Sequence, residues 1–353
     1  MSIAIVNDIA GQEAMTQEAA LDVHGLSTTF RTDHGPLVAV DNVSIRVGHG
    51  RVLAVIGESG SGKSAMLRSI LGIQASNATV SGNVLVEGRD MMELSPKARA
   101  AARGRDISMV FQDPLTALDP VYTIERQLIE TLRRHQKMSR TAARARALEL
   151  LELVQIPSPA ARLKAYPSEL SGGMRQRVVI AMAIAARPRV LLADEPTTAL
   201  DVTVQAKILE LFRTVQRDSN MGMVIVTHDL GVAAEIADDI AVMYAGRVVE
   251  TGPAEEVLLQ PSHPYTQGLI EANVRPGQST RPNAIPGSPP SLARLPQGCA
   301  FAPRCHAATV ECWHRQPEQV SVGKSHTSRC LLQLAPTVTS MGTSAVEGRH
   351  AIV

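Results

Sequence analysis

The feature that most constrains the fold of this chain is an eight-residue, glycine-rich stretch between a predicted strand and a predicted helix. It follows the apolar run from Arg51 to Ile56 and precedes the helix-prone run from Ala65 to Leu71. The pattern G-x-x-x-x-G-K-S in this context predicts a loop whose backbone N–H groups surround phosphate oxygens at a helix N-terminus. A simple glycine-rich turn would explain neither the lysine nor the serine. The stretch consists of Gly57, Glu58, Ser59, Gly60, Ser61, Gly62, Lys63 and Ser64.

A second predicted strand, from Val190 to Ala193, ends in the two carboxylates of Asp194 and Glu195. The carboxyl ends of strands are where α/β folds place their ligands. We expect Lys63 to reach the β and γ phosphates of a nucleotide, and the Ser64 hydroxyl to bind Mg²⁺. Asp194 would hold the same Mg²⁺ through water, and Glu195 would polarise the attacking water.

Strands alternate with helices along most of the chain, which predicts an α/β fold with a largely parallel sheet. We expect a nucleotide-binding domain over residues 21–255, with a helical subdomain inserted at about 121–170. Proline and glycine then crowd the chain and periodicity fades, so residues 256–334 are predicted to form a small C-terminal extension. Residues 1–20 and 335–353 are predicted to be flexible.

The composition excludes several classes of protein. A formal net charge of +1 over 353 residues argues against a nucleic-acid binder with a broad basic face. The longest uncharged apolar run, from Val178 to Ala186, is about half the length that spans a bilayer. The first 20 residues show neither a basic segment nor a sustained apolar one, so no signal peptide is predicted. We therefore expect a cytoplasmic chain.

A serine and two glycines, Ser171, Gly172 and Gly173, open another predicted helix. Taken alone, the serine reads as an ordinary N-cap. A helix start with small residues can also bind an anion, although the phosphate loop already provides one such site. A composite site would explain both helix starts. In such a site, one protomer brings the phosphate loop and the other closes it with this helix.

These motifs together resemble those of the ATP-binding cassette (ABC) ATPases, over about Leu21 to Gly252 and in the order found in that family. The resemblance implies an ATPase core, in which a mixed, RecA-like sheet carries a helical subdomain. It implies that Gln112 senses Mg²⁺ and communicates with a membrane partner, and that Asp201 belongs to a loop that crosses a dimer interface. His228 resembles the switch histidine that contacts the γ-phosphate. The signature segment ends in Met174, where many members have glutamine.

The base of the nucleotide is expected to stack on an aromatic residue near the N-terminus. Phe30 is the only aromatic residue before the phosphate loop. It is similar in position to the stacking residue of the family, and burial of Phe30 in the core is the alternative.

Within the family, the chain resembles the ATPase subunits of dipeptide, oligopeptide and nickel importers. The segments that carry this resemblance are Gln112–Pro120, Ala193–Thr203, His263–Thr266, Ile285–Ser291 and Gly298–Cys305. It implies ATP and Mg²⁺ as ligands, two transmembrane permease subunits, a second ATPase subunit and, indirectly, an extracytoplasmic solute-binding protein. The location implied is the cytoplasmic face of the cell membrane, as a peripheral subunit. The alternatives are a soluble ABC ATPase in a multienzyme complex, such as phosphonate lyase, and a metal-sensing regulator.

All four cysteines of the chain fall in the extension, at Cys299, Cys305, Cys312 and Cys330. A cytoplasmic chain keeps its thiols reduced, which argues against disulfides. Four thiolates suit a 4Fe–4S cluster or a zinc site, and the absence of close C-x2–4-C pairs favours the cluster. The importer ATPases that this extension resembles include cluster-bearing members, which favours the same choice over zinc and over unliganded thiols.

Overall fold

A computed structural model describes residues 19–198, 200–272 and 284–334 of the chain. The predicted flexible ends lie almost entirely outside these ranges, as does Ala199 in the segment before Asp201. The strands are β1 (Ala19–Thr32), β2 (Gly35–Gly48), β3 (Val52–Ile56), β4 (Ala78–Val86), β5 (Arg89–Asp90), β6 (Ile107–Val110), β7 (Val190–Asp194), β8 (Gly222–Thr227), β9 (Asp239–Tyr244), β10 (Arg247–Pro253), β11 (Val320–Ser321) and β12 (Thr327–Ser328).

The helices follow the same order. They are α1 (Lys63–Leu71), α2 (Pro96–Ala102), α3 (Pro114–Ala117), α4 (Ile124–His135), α5 (Arg140–Leu153), α6 (Pro159–Arg162), α7 (Gly172–Ile184), α8 (Val202–Ser219), α9 (Leu230–Ile236), α10 (Ala254–Leu259), α11 (Pro264–Ala272) and α12 (Val310–His314). Within the described ranges, no helix combines the length and the apolar character needed to cross a membrane.

The larger sheet has the strand order β11-β12-β10-β9-β3-β8-β7-β6. The five strands from β9 to β6 run parallel, whereas β10, β12 and β11 continue the sheet with antiparallel pairing. Both faces of the parallel part are covered, because alternate side chains of β3 enter two different cores. Val52, Ala54 and Ile56 belong to one core, and Leu53 and Val55 to the other. The α/β class with a mixed sheet is therefore confirmed.

A smaller antiparallel sheet, in the order β2-β1-β4-β5, packs on one face of the larger one. Its apolar side chains share a core with α1, whose Met66, Leu67 and Ile70 are fully buried. A buried hydrogen bond of 2.6 Å between the hydroxyls of Thr28 and Ser69 also joins β1 to α1. The helix that follows the phosphate loop is thus held by both sheets.

The helical region between β6 and β7 packs on the other face of the larger sheet. Its helices α4, α5 and α7 share the core that contains Val52, Ala54 and Ile56. The chain from Thr123 to Leu153 has one helical pattern, but it forms two helices with a break before Ser139. The break occurs because Ser139 is extended and its hydroxyl accepts the N–H of Ala142, which begins α5 as an N-cap.

The C-terminal extension adds to the larger sheet, because β12 pairs with β10 at Thr327 and Ser328. Glu250 of β10, which pairs with Ser328 of β12, is completely buried. Its carboxylate accepts the backbone N–H groups of Ser262 and His263 and lies 2.7 Å from the Nε2 of His326. One buried carboxylate therefore joins two separate segments of the extension to the core.

Candidate functional site

The phosphate loop connects the end of β3 to the start of α1, and its tight path requires glycine at two positions. Gly57 and Gly62 have φ angles of 152° and 102°. A Cβ on Gly57 would lie 2.1 Å from the carbonyl oxygen of Met243, and one on Gly62 would lie 2.3 Å from that of Ala39. Since both obstacles are backbone atoms, a side chain cannot be accommodated by a rotamer change. The loop is thus pressed against β2 and β9.

Lys63, the first residue of α1, turns back into this loop. Its Nζ donates to the carbonyl oxygens of Gly57 and Glu58, each at 2.8 Å. The side chain is nearly buried, and burial lowers the pKa of Lys63, although the nearby charges of Glu195, Asp194 and Glu58 oppose this shift. The ammonium group therefore lies inside the cradle where phosphate oxygens would bind.

Ser64 lies next to the end of β7. Its hydroxyl donates to the Oδ1 of Asp194 across 2.9 Å. Burial raises the pKa of this Asp194 carboxyl, which is only 1% exposed. A hydroxyl and a carboxylate beside a phosphate loop are the oxygen ligands that Mg²⁺ prefers, so this pair could hold Mg²⁺ with a nucleotide.

Three side chains, those of Gln112, Thr198 and His228, meet at the carboxylate of Glu195. Its Oε2 accepts from the Nε2 of Gln112 at 3.2 Å and from the hydroxyl of Thr198 at 2.9 Å, and it lies 3.4 Å from the Nδ1 of His228. The backbone of Glu195 is left-handed, with φ of 46°, and its N–H donates to the carbonyl of Val226. A carboxylate held in this way could orient a water molecule. Thr198 was not predicted, although it follows Glu195 within one turn.

The second glycine-containing helix start is exposed. Ser171 caps α7 by accepting the N–H of Met174 at 3.3 Å. Gly173 packs beside Val204 at the start of α8, and Asp201 caps α8 by accepting the N–H of Val204. Within the described part of the chain, and apart from its chain neighbours and the local backbone of α7, no heavy atom lies within 4 Å of where a Cβ on Gly172 would be. This fold itself therefore does not require glycine at position 172.

Phe30 lies on β1 in register with Leu37 of β2 and Ala78 of β4. Its side chain is half-buried. This position fits either a platform for a base or a partly covered residue of the smaller sheet, so stacking on Phe30 stays a prediction.

The four cysteines come together around one narrow cavity, and none of them forms a disulfide. Cys312 and Cys330 are buried, whereas Cys299 and Cys305 are partly exposed; His263 and Phe301 also line the cavity. Yet among the described residues, no group of three or more His, Cys, Asp or Glu side chains is arranged so that it could hold a metal ion. The structure thus brings the cysteines together without presenting a formed metal site.

Comparison with known proteins gives two family matches. Residues 40–198 match the family described as ABC transporter, and residues 249–312 match the family described as oligopeptide/dipeptide transporter, C-terminal region. Among solved structures, the chain is similar to the dimeric ATP-binding cassette MJ0796 in a post-hydrolysis state bound to ADP and Pi. The TM-score is 0.61 at 30% identity, covering 66% of this chain and 98% of that one.

Two curated relatives illustrate matches that cover nearly the full length of the relative. A putative peptide import ATP-binding protein of Brucella melitensis is 49% identical over 331 residues, which cover 90% of this chain and 98% of the relative. The dipeptide transport ATP-binding protein DppD of Bacillus subtilis is 48% identical over 321 residues, which cover 90% of this chain and 95% of the relative. The chain therefore belongs to the ABC transporter ATPase family, in the branch that carries the oligopeptide/dipeptide transporter C-terminal region.

Proposed function

We propose that this chain is the ATP-hydrolysing subunit of an importer for dipeptides or oligopeptides. The observation that carries the proposal is the arrangement around Glu195, whose carboxylate meets Gln112, Thr198 and His228 beside the phosphate loop. The relatives with the same C-terminal region are named as peptide import or dipeptide transport ATP-binding proteins, which supports peptides as the transported solute.

In the proposed reaction, ATP binds with its phosphates in the loop from Gly57 to Ser64. Lys63 exchanges its bonds to the loop carbonyls for bonds to the β and γ phosphates. Ser64, Asp194 and Gln112 would hold Mg²⁺, which supplies positive charge to the phosphates when bound. Glu195 orients the water that attacks the γ-phosphate, and His228 lies beside it to stabilise the charge that develops.

The site is completed in the proposal by a second ATPase subunit. Ser171 and Gly172 are exposed, and the open space around Gly172 supports a role toward a partner. Asp201 begins α8 beside the same surface and would contribute to this interface. The related cassette MJ0796 is described as dimeric, which supports pairing of two such subunits. The partner is a paralogue or a second copy of this chain.

Two transmembrane permease subunits are proposed as the membrane partners, at the cytoplasmic face of the membrane. Closure and reopening of the ATPase pair would drive them through Gln112 and the helices α4 to α6. A solute-binding protein outside the membrane would deliver the peptide to the permeases. The match of residues 249–312 to the transporter C-terminal region supports this assembly.

We also propose that the four cysteines hold a 4Fe–4S cluster, with zinc as the alternative metal. Burial, followed by the charges of the other cysteines, raises the pKa of the Cys330 thiol to about 11. Thiols of this kind stay protonated until a metal binds, because the metal supplies the positive charge that favours the thiolates. The donor set, four cysteines around one cavity with apolar walls, suits such a cluster. Its role would be structural.

The proposal is tested by isolating the tagged protein from detergent-solubilised native membranes and identifying its partners by mass spectrometry. Two multi-span permeases and a second ATPase are expected, and dipeptide or oligopeptide uptake should disappear when the chain is deleted. Recovery of soluble enzymes without a permease would overturn the transport function. Loss of nickel uptake with peptide uptake unchanged would overturn peptides as the solute.

A further inference from the structure

We propose that Arg304 of the C-terminal extension is a positioning residue of the ATP site, acting through Glu58 of the phosphate loop. The inference rests on the proposed ATPase function, since it assigns to the extension a part in shaping the nucleotide site. The carboxylate and the guanidinium form a two-pronged pair: Nη1 donates to Oε2 at 2.6 Å and Nη2 donates to Oε1 at 2.9 Å.

Arg304 is itself held firmly. Its side chain is 5% exposed, and its Nε donates to the carbonyl oxygen of Pro286 at 2.8 Å. Its Nη1 also donates to the hydroxyl of Tyr244 at 3.3 Å. A planar guanidinium with both ends occupied presents its fork in one orientation, which a lysine cannot reproduce.

Every polar group of Glu58 is engaged at once. Its N–H donates to the hydroxyl of Tyr265 at 2.8 Å, and its carboxylate is held by Arg304. Its carbonyl oxygen accepts from the Nζ of Lys63 and from the N–H of Ser61. Glu58, which orients Lys63 through its carbonyl oxygen, is therefore held at its N–H and at its carboxylate by the extension. Tyr265 and Arg304, which make these contacts, both lie beyond residue 255.

An aromatic cluster makes this connection rigid. The ring centroids of Tyr244 and Tyr265 are 4.5 Å apart, and Phe301 lies 5.3 Å from each of them. Phe301 and Arg304 belong to one short turn, in which the N–H of Arg304 donates to the carbonyl of Phe301. Cys299 and Cys305 flank this turn in the sequence, so the fold around the cysteine cavity determines where Arg304 lies.

Two different roles for the pair predict opposite results for one substitution. If Glu58 acted only through its charge, Glu58→Gln would strengthen ATP binding, because an anionic group near the triphosphate would be removed. If the pair positions the loop, the same substitution should weaken ATP binding, because the loop and Lys63 lose their fixed geometry. A purely structural pair would change the melting temperature and leave the ATP affinity of the folded protein unchanged.

The test measures the Kd of full-length protein for a fluorescent ATP analogue, with KM and kcat for ATP hydrolysis. Glu58→Gln and Arg304→Met are each expected to raise Kd and KM on the order of 10-fold, with kcat changed much less. The double variant should be no worse than the weaker-binding single variant, because both remove the same interaction. Arg304→Lys should restore part of the affinity. The control is Arg315→Met, which removes an exposed arginine of the same extension paired with Glu311, and it should leave Kd unchanged.

An unchanged or lower Kd in Glu58→Gln would overturn the inference, as would additive effects in the double variant. If Arg304→Met does not fold, Glu58→Gln and Arg304→Lys decide the question by the same criteria. A wild-type protein that binds no ATP would instead contradict the proposed function, so the two failures are distinguishable.

Discussion

The Nδ1 of His228 lies 3.4 Å from the Oε2 of Glu195, and this contact joins the ends of two adjacent parallel strands. Glu195 follows β7 directly and His228 follows β8 directly. The pairing continues one residue past Asp194, because the N–H of Glu195 donates to the carbonyl of Val226. The sheet itself thus sets the separation between the proposed base and the proposed switch residue.

Lys63→Met should remove most of the ATP affinity. The ammonium of Lys63 is nearly buried in the phosphate loop, and methionine keeps its length without its charge or its donors. We expect the Kd for ATP to rise roughly 10-fold or more, since charge-assisted hydrogen bonds to phosphate are lost. Isothermal titration calorimetry checks this expectation. Lys97→Met, at an exposed lysine of α2, is the matched control, and an equal effect in both variants would contradict the role of Lys63.

Gly172→Val should leave the isolated fold intact and damage hydrolysis. Apart from the local backbone of α7 and the two chain neighbours, the described part of the chain places no heavy atom within 4 Å of the added Cβ, so the melting temperature should stay close to that of the wild type. Hydrolysis is expected to fall roughly 10- to 100-fold, because the new side chain would occupy the space that a partner's nucleotide needs. The measurement combines thermal melting with phosphate release from the assembled transporter. Thr141→Val, in the exposed first turn of α5, is the control; full activity of Gly172→Val would refute the composite site.

Cys312→Ser should remove the bound metal. For anaerobically purified protein we expect about four iron atoms and about four sulfides per chain. Cys312 is buried in the cysteine cavity, and replacing its thiol should abolish most of this content and lower the stability of the extension. Iron, sulfide and zinc assays, with limited proteolysis, check both effects. One zinc atom per chain without sulfide would indicate a zinc site instead of the cluster. Wild-type protein that contains neither iron nor zinc would contradict both proposals.

The stability of the protein should fall in mild acid because of His263. Burial lowers the pKa of His263 to about 4 in the folded chain, against 6.5 for the ordinary side chain. The unfolded chain takes up this proton first, so the stability contribution is complete above pH 6.5 and is lost as the pH falls towards 4. The slope from this one group approaches about 1.4 kcal/mol per pH unit.

Urea unfolding of wild type and His263→Gln between pH 7.5 and pH 5 isolates the contribution of His263 to the pH dependence of stability. Glutamine can keep the hydrogen bonds that the ring makes to the backbone of Tyr265 and Arg329, but it does not titrate. The wild type should lose stability more steeply than the variant on acidification. If stability falls with pH equally in the wild type and in His263→Gln, His263 is not held neutral by the fold.

The sequence predicted the candidate site best where motif residues directly follow parallel strands. Asp194 and Glu195 follow β7, and His228 follows β8, so their meeting beside the phosphate loop follows from the strand order alone. The break before Ser139 was not predicted, because a helical pattern continues across it and a serine alone does not mark a helix start. The contact between Arg304 and Glu58 could not be predicted, since no local pattern relates a proline-rich extension to a loop so distant in sequence.

The role of Glu195 is the centre of the proposed function, and Glu195→Gln tests it most directly. Phosphate release and ATP binding would be measured side by side for the wild type, for Glu195→Gln and for Glu210→Gln, a control at an exposed glutamate of α8. We predict that Glu195→Gln loses about 100-fold or more of the hydrolysis rate while it binds ATP at least as well as the wild type. Glu210→Gln should match the wild type in both measurements. Unchanged phosphate release in Glu195→Gln would contradict the assignment of Glu195 as the residue that activates water.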